Sequence, residues 1–187
     1  GTARVGTVSG NSISFGSAVR FNGSSHAQFM QATFDSSNNK VVIAFMDTGN
    51  NANGKAVVGT VSGTSINFGS AVQFAAGNGS ANGPRPFGIA FDSTNNKVVI
   101  AYADYGDGEK GKAIVGTVSG TSISFGSATI FNNANTYSNV EGSGAIYDSN
   151  AEKVVIAYRD SGNSNKGTVI AGTVSGTSIS FGSEVVF

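Results

Sequence analysis

The chain has no cysteine and no tryptophan among its 187 residues. The first absence excludes disulfides, thiolate zinc sites and cysteine nucleophiles. The second removes the largest amphipathic ring that could stack on a sugar. There is one histidine, His26, so a Ser-His-Asp or histidine-metal centre would rest on a single residue. Charge is scarce at 12%, with eleven basic residues against eleven acidic ones. That balance provides no general field to attract nucleic acid or an anionic membrane, and it is unlike the high net charge of a disordered chain. The apolar runs stop at about five residues, where membrane insertion needs about 20. Apolar residues also never keep a three-and-four spacing, and 27 glycines are scattered throughout, which excludes long helices.

Repetition is what the sequence does have. Val-Gly-Thr-Val-Ser-Gly fills Val5 to Gly10 and returns at Val58 to Gly63 and Val115 to Gly120, with a variant copy at Ala171 to Gly176. Ile-x-Phe-Gly-Ser follows each copy, placing Phe15, Phe68, Phe125 and Phe181 in register. A second block, Lys-Val-Val-Ile-Ala, starts at Lys40, Lys97 and Lys153, and Asp-Ser precedes it at Asp35, Asp92 and Asp148. Such register defines a tandem array of units of about 55 residues. The divisions are a half repeat at 1–22 and full repeats at 23–76, 77–133 and 134–187.

Each full unit predicts four short strands. The first ends at the recurrent Asp-Ser, and a polar turn suited to Asx bonding leads into the second. The second is the Val-Val-Ile-Ala run, continuously apolar as in a strand buried on both faces. A Ser-Gly-Thr turn joins the third to the fourth, with glycine supplying a positive φ. In the fourth strand Ile13, Phe15, Val19 and Phe21 are separated by even steps, which predicts one large-residue face and one small-residue face. Phe68 and Phe125 are therefore expected to be buried between neighbouring sheets. Stacked four-stranded antiparallel sheets are the blades of a β-propeller, here about 3.5 blades, and a β-solenoid is the alternative that the repeats leave open.

The segment Val-Ser-Gly-Thr-Ser-Ile-Ser-Phe-Gly-Ser-Ala-Val, matched with one difference each at Val8 to Val19, Val61 to Val72, Val118 to Thr129 and Val174 to Val185, resembles a degenerate Asp-box repeat of the sialidase-type propellers. That pattern is Ser-x-Asp-x-Gly-x-Thr-Trp; here the aspartate is missing, and Phe15, Phe68, Phe125 and Phe181 stand where the tryptophan would be. The array as a whole also resembles Gly/Ser/Asn-rich repeats of surface and tail-associated proteins of marine bacteria and phages. These likenesses imply a propeller fold and an extracellular, cell-surface or virion setting. They also leave open a degenerate sialidase-like hydrolase, although the four arginines Arg4, Arg20, Arg85 and Arg159 stand at non-equivalent positions.

Comparison of the units divides the connections into two kinds. The turns within the first-second and third-fourth strand pairs are nearly constant, whereas the second-third and fourth-first connections vary. In an up-and-down sheet the variable pair lies at one end, where loops on a rigid scaffold carry function. The recurrent aspartates Asp47, Asp104 and Asp160 lie at that end, able either to hold a ligand or to cap their own loops. Tyr105, Tyr137 and Phe87 are the candidate aromatics for stacking on a glycan. Asp104, Asp107 and Glu109 form the most acidic stretch and the weak candidate for calcium; no other cofactor is expected. Asn22-Gly23-Ser24 and Asn78-Gly79-Ser80 match the glycosylation pattern, as chance allows in so Asn- and Ser-rich a chain.

These features predict a non-catalytic binding or adhesion module that reads glycans with its variable loops, with a ligand-free structural array as the alternative. The chain opens on a third strand and closes on a fourth, and its first residue is Gly1. It is therefore expected to be cut from a longer array or completed by itself, head to tail, as a dimer or longer assembly.

Overall fold

The structure, a computed structural model, describes residues 1–79, 83–136 and 144–187. It is all-β, with several antiparallel sheets. The first full sheet runs through Ala27–Asp35, Lys40–Asp47, Asn53–Ser62 and Ser65–Phe68, with Val72–Ala75 added on the edge of the third strand. The second comprises Pro84–Asp92, Lys97–Asp104, Lys110–Ser119, Ser122–Phe125 and Thr129–Asn135. The third comprises Gly144–Asp148, Lys153–Asp160, Lys166–Ser175, Ser178–Phe181 and Val185–Val186. Before them stands a half-sheet of third-strand and fourth-strand pieces, Gly6–Ser9 with Ser12–Phe15 and Thr2–Ala3 with Val19–Arg20.

The turns form as the repeats predict. Asp35 Oδ1 accepts the backbone N–H groups of Ser37 (3.1 Å) and Asn38 (3.0 Å), and Asp92 and Asp148 do the same for Thr94 with Asn95 and for Asn150 with Ala151. At the third-fourth turn Ser62 pairs with Ser65, leaving Gly63 and Thr64 as the two central residues. Gly63 has φ +58° and Thr64 is not left-handed, the pattern of a type II′ hairpin that requires glycine first.

The fourth strand departs from the sequence expectation. Phe68 pairs with Gly59 and Val72 with Ala56, so four steps on the fourth strand match three on the third. The extra residue is a β-bulge at Gly69-Ser70-Ala71, closed by the Gly69 N–H donating to the Val58 carbonyl at 2.9 Å. Residues three apart on one strand point to opposite faces, so the bulge reverses the strand. Ile66 and Phe68 face the preceding sheet; Val72 and Phe74 face the following one. Ile13, Phe15, Val19 and Phe21 consequently do not share one face, because the same reversal separates Gly6↔Phe15 from Ala3↔Val19.

That reversal puts a phenylalanine on each face of strand four, so that the fourth strands of the first and second sheets each contribute one to two interfaces. Between the half-sheet and the first sheet, Phe21 lies 5.2 Å from Phe45 and 5.7 Å from Phe68, ring centre to ring centre. At the next interface Phe74 lies 5.3 Å from Tyr102 and 5.9 Å from Phe125. At the third, Phe131 lies 5.1 Å from Tyr158 and 5.6 Å from Phe181. All six pairs are tilted or edge-to-face, the geometry that ring quadrupoles favour. Phe68 and Phe125 are half-buried rather than enclosed; the most covered ring of each triad is Phe45, Tyr102 or Tyr158 from strand two of the following sheet, with the ring inserted by the preceding sheet buried beside it.

The bulge glycines set how closely the sheets approach. A Cβ placed on Gly16, Gly69 or Gly126 would lie 1.9, 1.9 or 2.0 Å from the carbonyl oxygen of Thr64, Thr121 or Thr177 in the next sheet's hairpin turn. That partner is backbone and cannot swing away. We predict that Gly69→Ala costs about 1–3 kcal/mol of stability as an overpacked contact. Phe131→Ala should cost about 3–5 kcal/mol, and truncation of the half-buried Phe125 less. Chemical denaturation of the three variants measures the order; an unmoved midpoint for Gly69→Ala would contradict the close approach.

Candidate functional site at the variable-loop end

The two variable connections meet at one end of each sheet. The backbone N–H of Thr48 donates to the His26 carbonyl at 3.0 Å, that of Gly79 to Asn51 at 3.1 Å, and that of Thr136 to Glu109 at 2.7 Å. Each loop that follows a fourth strand is thus fastened to the loop that follows a second strand.

The recurrent aspartates organise this end as caps. Asp104 and Asp160 stand before the short 3-10 turns Tyr105–Asp107 and Ser161–Asn163, and their carboxylates accept the N–H groups of Gly106 (3.1 Å) and Gly162 (2.9 Å). Asp47 accepts from the Gly49 N–H in the same way. The remaining acceptor capacity goes to donors that the sequence reading overlooked. Asp47 takes the Lys55 ammonium at 2.8 Å and the Asn22 amide at 3.1 Å. Asp104 takes the Lys112 ammonium at 2.8 Å, and Asp160 takes the Asn132 amide at 3.1 Å. Asn22 and Asn132 belong to the preceding unit, so these bonds join neighbouring sheets. A signal for the lysines was present: Lys55 and Lys112 each follow their aspartate by eight residues, across the hairpin, and Thr168 takes that place in the last repeat.

The aromatic candidates separate. Phe87 is 4% exposed and packs edge-on to Phe131 at 6.4 Å, so it belongs to the core between the second and third sheets and offers no face to a sugar. It is apolar and follows Pro86 at a register shift in the first strand, which turns it inward. Tyr105 does reach the loop surface, but the Arg85 guanidinium covers one side of its ring at 3.6 Å while also lying 4.8 Å from the Phe29 ring. Tyr137 lies outside the described residues. The glycosylation match at Asn22 fails on geometry, because that amide is buried and already donates to Asp47.

The acidic stretch carries its own cations. Lys112 bridges Asp104 and Asp107 at 2.8 Å each, and Lys110 reaches Asp107 at 3.0 Å. Lys110 and Lys112 hold the Asp107 carboxyl below its usual range, and although burial works to lower the Lys112 ammonium, the two aspartates raise it. Two ammonium groups thus pair with these carboxylates, and Glu109 joins the loop through its backbone. Among the described residues no three histidine, aspartate or glutamate side chains gather as a metal would require.

A concave feature lies between the second and third sheets beside these loops. It is a cleft of about 580 Å³ whose polar walls are Asn132, Asn133, Asp160, Asn163 and Glu184, with Phe131 and Ile170 beneath. The Tyr158 hydroxyl donates to Glu184 at 2.8 Å, and burial together with that carboxylate raises the phenol far above its ordinary value. No family model matches the sequence, and no curated protein or solved structure matches it either.

The Asp47 cluster generates a pH prediction. Burial works to raise this carboxyl, but hydrogen bonds from Lys55 and Asn22 and the charge of Lys55 outweigh it and leave the value below the usual carboxylate range. A folded-state value below the unfolded one stabilises the fold fully above the ordinary range, and the contribution vanishes as pH falls through the depressed value. Lys55→Met should therefore move acid unfolding, followed by near-ultraviolet circular dichroism, to higher pH. An unshifted acid transition would show that the lysine does not hold the carboxylate.

Proposed function

We propose that the chain is a non-catalytic binding module of β-propeller type, from an extracellular, cell-surface or virion protein, which takes glycans in the cleft at its variable-loop end. The observation that carries the reading is that cleft. It collects amides and carboxylates from two sheets in the part of the repeat where loops vary, beside an apolar floor, the mixture suited to sugar hydroxyls and C–H faces. The propeller reading draws on the way the sheets converge: the first strands of successive sheets lie against one another, and the Gly88 position is within 2.5 Å of the Ala145 backbone nitrogen by its Cβ direction. On the same side a groove of about 420 Å³ runs past Phe34, Phe91 and Tyr147, the equivalent first-strand residues. First strands gathered side by side along one edge are arranged as the inner strands of blades are.

Hydrolysis draws no comparable support. His26 is an exposed loop residue, and the four arginines are distributed over the half-sheet, the second sheet and the third. A ligand-free structural array is favoured by a separate observation: the recurrent aspartates spend their oxygens on loop caps and bonds between sheets. A glycan array distinguishes the two. Reproducible binding that is lost on Asn133→Ala or Asn163→Ala, with the denaturation midpoint unchanged, is the expected result. Silence across a broad array would overturn the glycan reading in favour of the structural one.

A further inference from the structure

The interfaces between units are made three times by equivalent residues, and the two outermost faces carry the same residues without a partner. Phe187 occupies the place of Phe21, Phe74 and Phe131: its N–H donates to the Gly167 carbonyl as that of Phe21 donates to Gly1, and its ring lies over Gly167. Its three equivalents are 7–8% exposed, whereas Phe187 is 78% exposed. On the half-sheet, Ile13 corresponds to Ile66, Ile123 and Ile179, which are 3–4% exposed, yet Ile13 is 55% exposed. Phe15 and Val8 beside it are also open to solvent.

Two further observations show that the outer faces keep interface chemistry. Lys153–Asp160 has the Val-Val-Ile-Ala composition of the second strands that are buried on both sides in the first and second sheets. In the third sheet it alternates, because Val155, Ala157 and Arg159 face outward and only half-covered. Gly182 occupies the bulge position of Gly16, Gly69 and Gly126, where a neighbouring turn forbids a Cβ. At Gly182 a Cβ would meet nothing nearer than the Ala171 oxygen at 3.9 Å. Folding of this unit alone does not require the glycine.

We propose that a second copy of this chain covers the third-strand and fourth-strand part of the third sheet's outer face with its half-sheet, repeating that part of the internal interface head to tail. Phe187 would then pack on the partner copy's Phe15, and Gly182 would lie against the Gly10-Asn11 hairpin turn of that copy, in the way that Gly126 lies against Thr177. Both surfaces expose apolar residues whose equivalents the internal interfaces bury. Contact between unlike ends leaves one of each kind free, so association continues until a ring closes. This inference is independent of the glycan reading, since it uses the sheet faces and not the loop end.

Association and its dependence on the two faces test the proposal directly. Light scattering of the unmodified chain at micromolar concentration should show species larger than 18.8 kDa. Phe187→Ala and Gly182→Ala should each weaken association by about tenfold or more. Gly182→Ala should leave the denaturation midpoint of the dilute protein in place, whereas Gly126→Ala lowers it. A monomer at all concentrations would overturn the proposal, as would association indifferent to both alanine variants.

Discussion

The bulge at Phe-Gly-Ser is the constraint on which the rest of this architecture depends. It is secured by one backbone bond per unit, from Gly16 to Val5, Gly69 to Val58, Gly126 to Val115 and Gly182 to Ala171, each 2.9–3.0 Å. By reversing the strand halfway along, it lets a single strand donate a phenylalanine to both adjoining interfaces. A strand without the bulge would place all its large residues on one side and leave the other interface with small ones. The glycine has a second duty, since it brings the next unit's hairpin turn into backbone contact. Register, sheet spacing and aromatic packing are therefore set at one place, which accounts for the near identity of this segment from unit to unit.

The opposite behaviour of the loop end follows from the same arrangement. Nothing in the interfaces fixes the length of the fourth-first connections, so they differ, but their polar groups must still be satisfied. Aspartate at the end of strand two does this locally, and the donors that complete it vary: lysine and asparagine at Asp47, lysine at Asp104, asparagine at Asp160. Each carboxylate is part-buried or buried and each has at least one such donor, because an unpaired charge there would be costly. The cleft beside Asp160 is thus built on a foundation of interface bonds. A ligand would be read by the neighbouring Asn133, Asn163 and Glu184 more readily than by the capping aspartate itself.

Most of the sheet architecture was legible in the sequence, because the repeats expose periodicity, turn chemistry and strand order at once. The Asx turns at Asp35, Asp92 and Asp148 and the glycine-first hairpins are local, and local chemistry is what a sequence displays. The reversal of strand four was not legible from alternation, since Ile66, Phe68, Val72 and Phe74 look evenly spaced and a bulge changes parity without changing composition. Gly69 was the available clue. Similarly, Phe87 and Tyr105 are both aromatic residues near variable loops. Only packing decides that one enters the core and the other lies under Arg85. The Asn22 and Asn132 bonds cross between units, and long-range pairs of that kind leave no spacing signal within a single repeat.

A double-mutant cycle on Phe74 and Phe125 tests the reversal most directly. If the bulge turns Phe74 toward the following sheet, truncating both residues should reveal a coupling of about 0.5–1.5 kcal/mol beyond their separate costs. Strictly additive losses would mean that the two rings do not meet, and that strand four does not serve both interfaces.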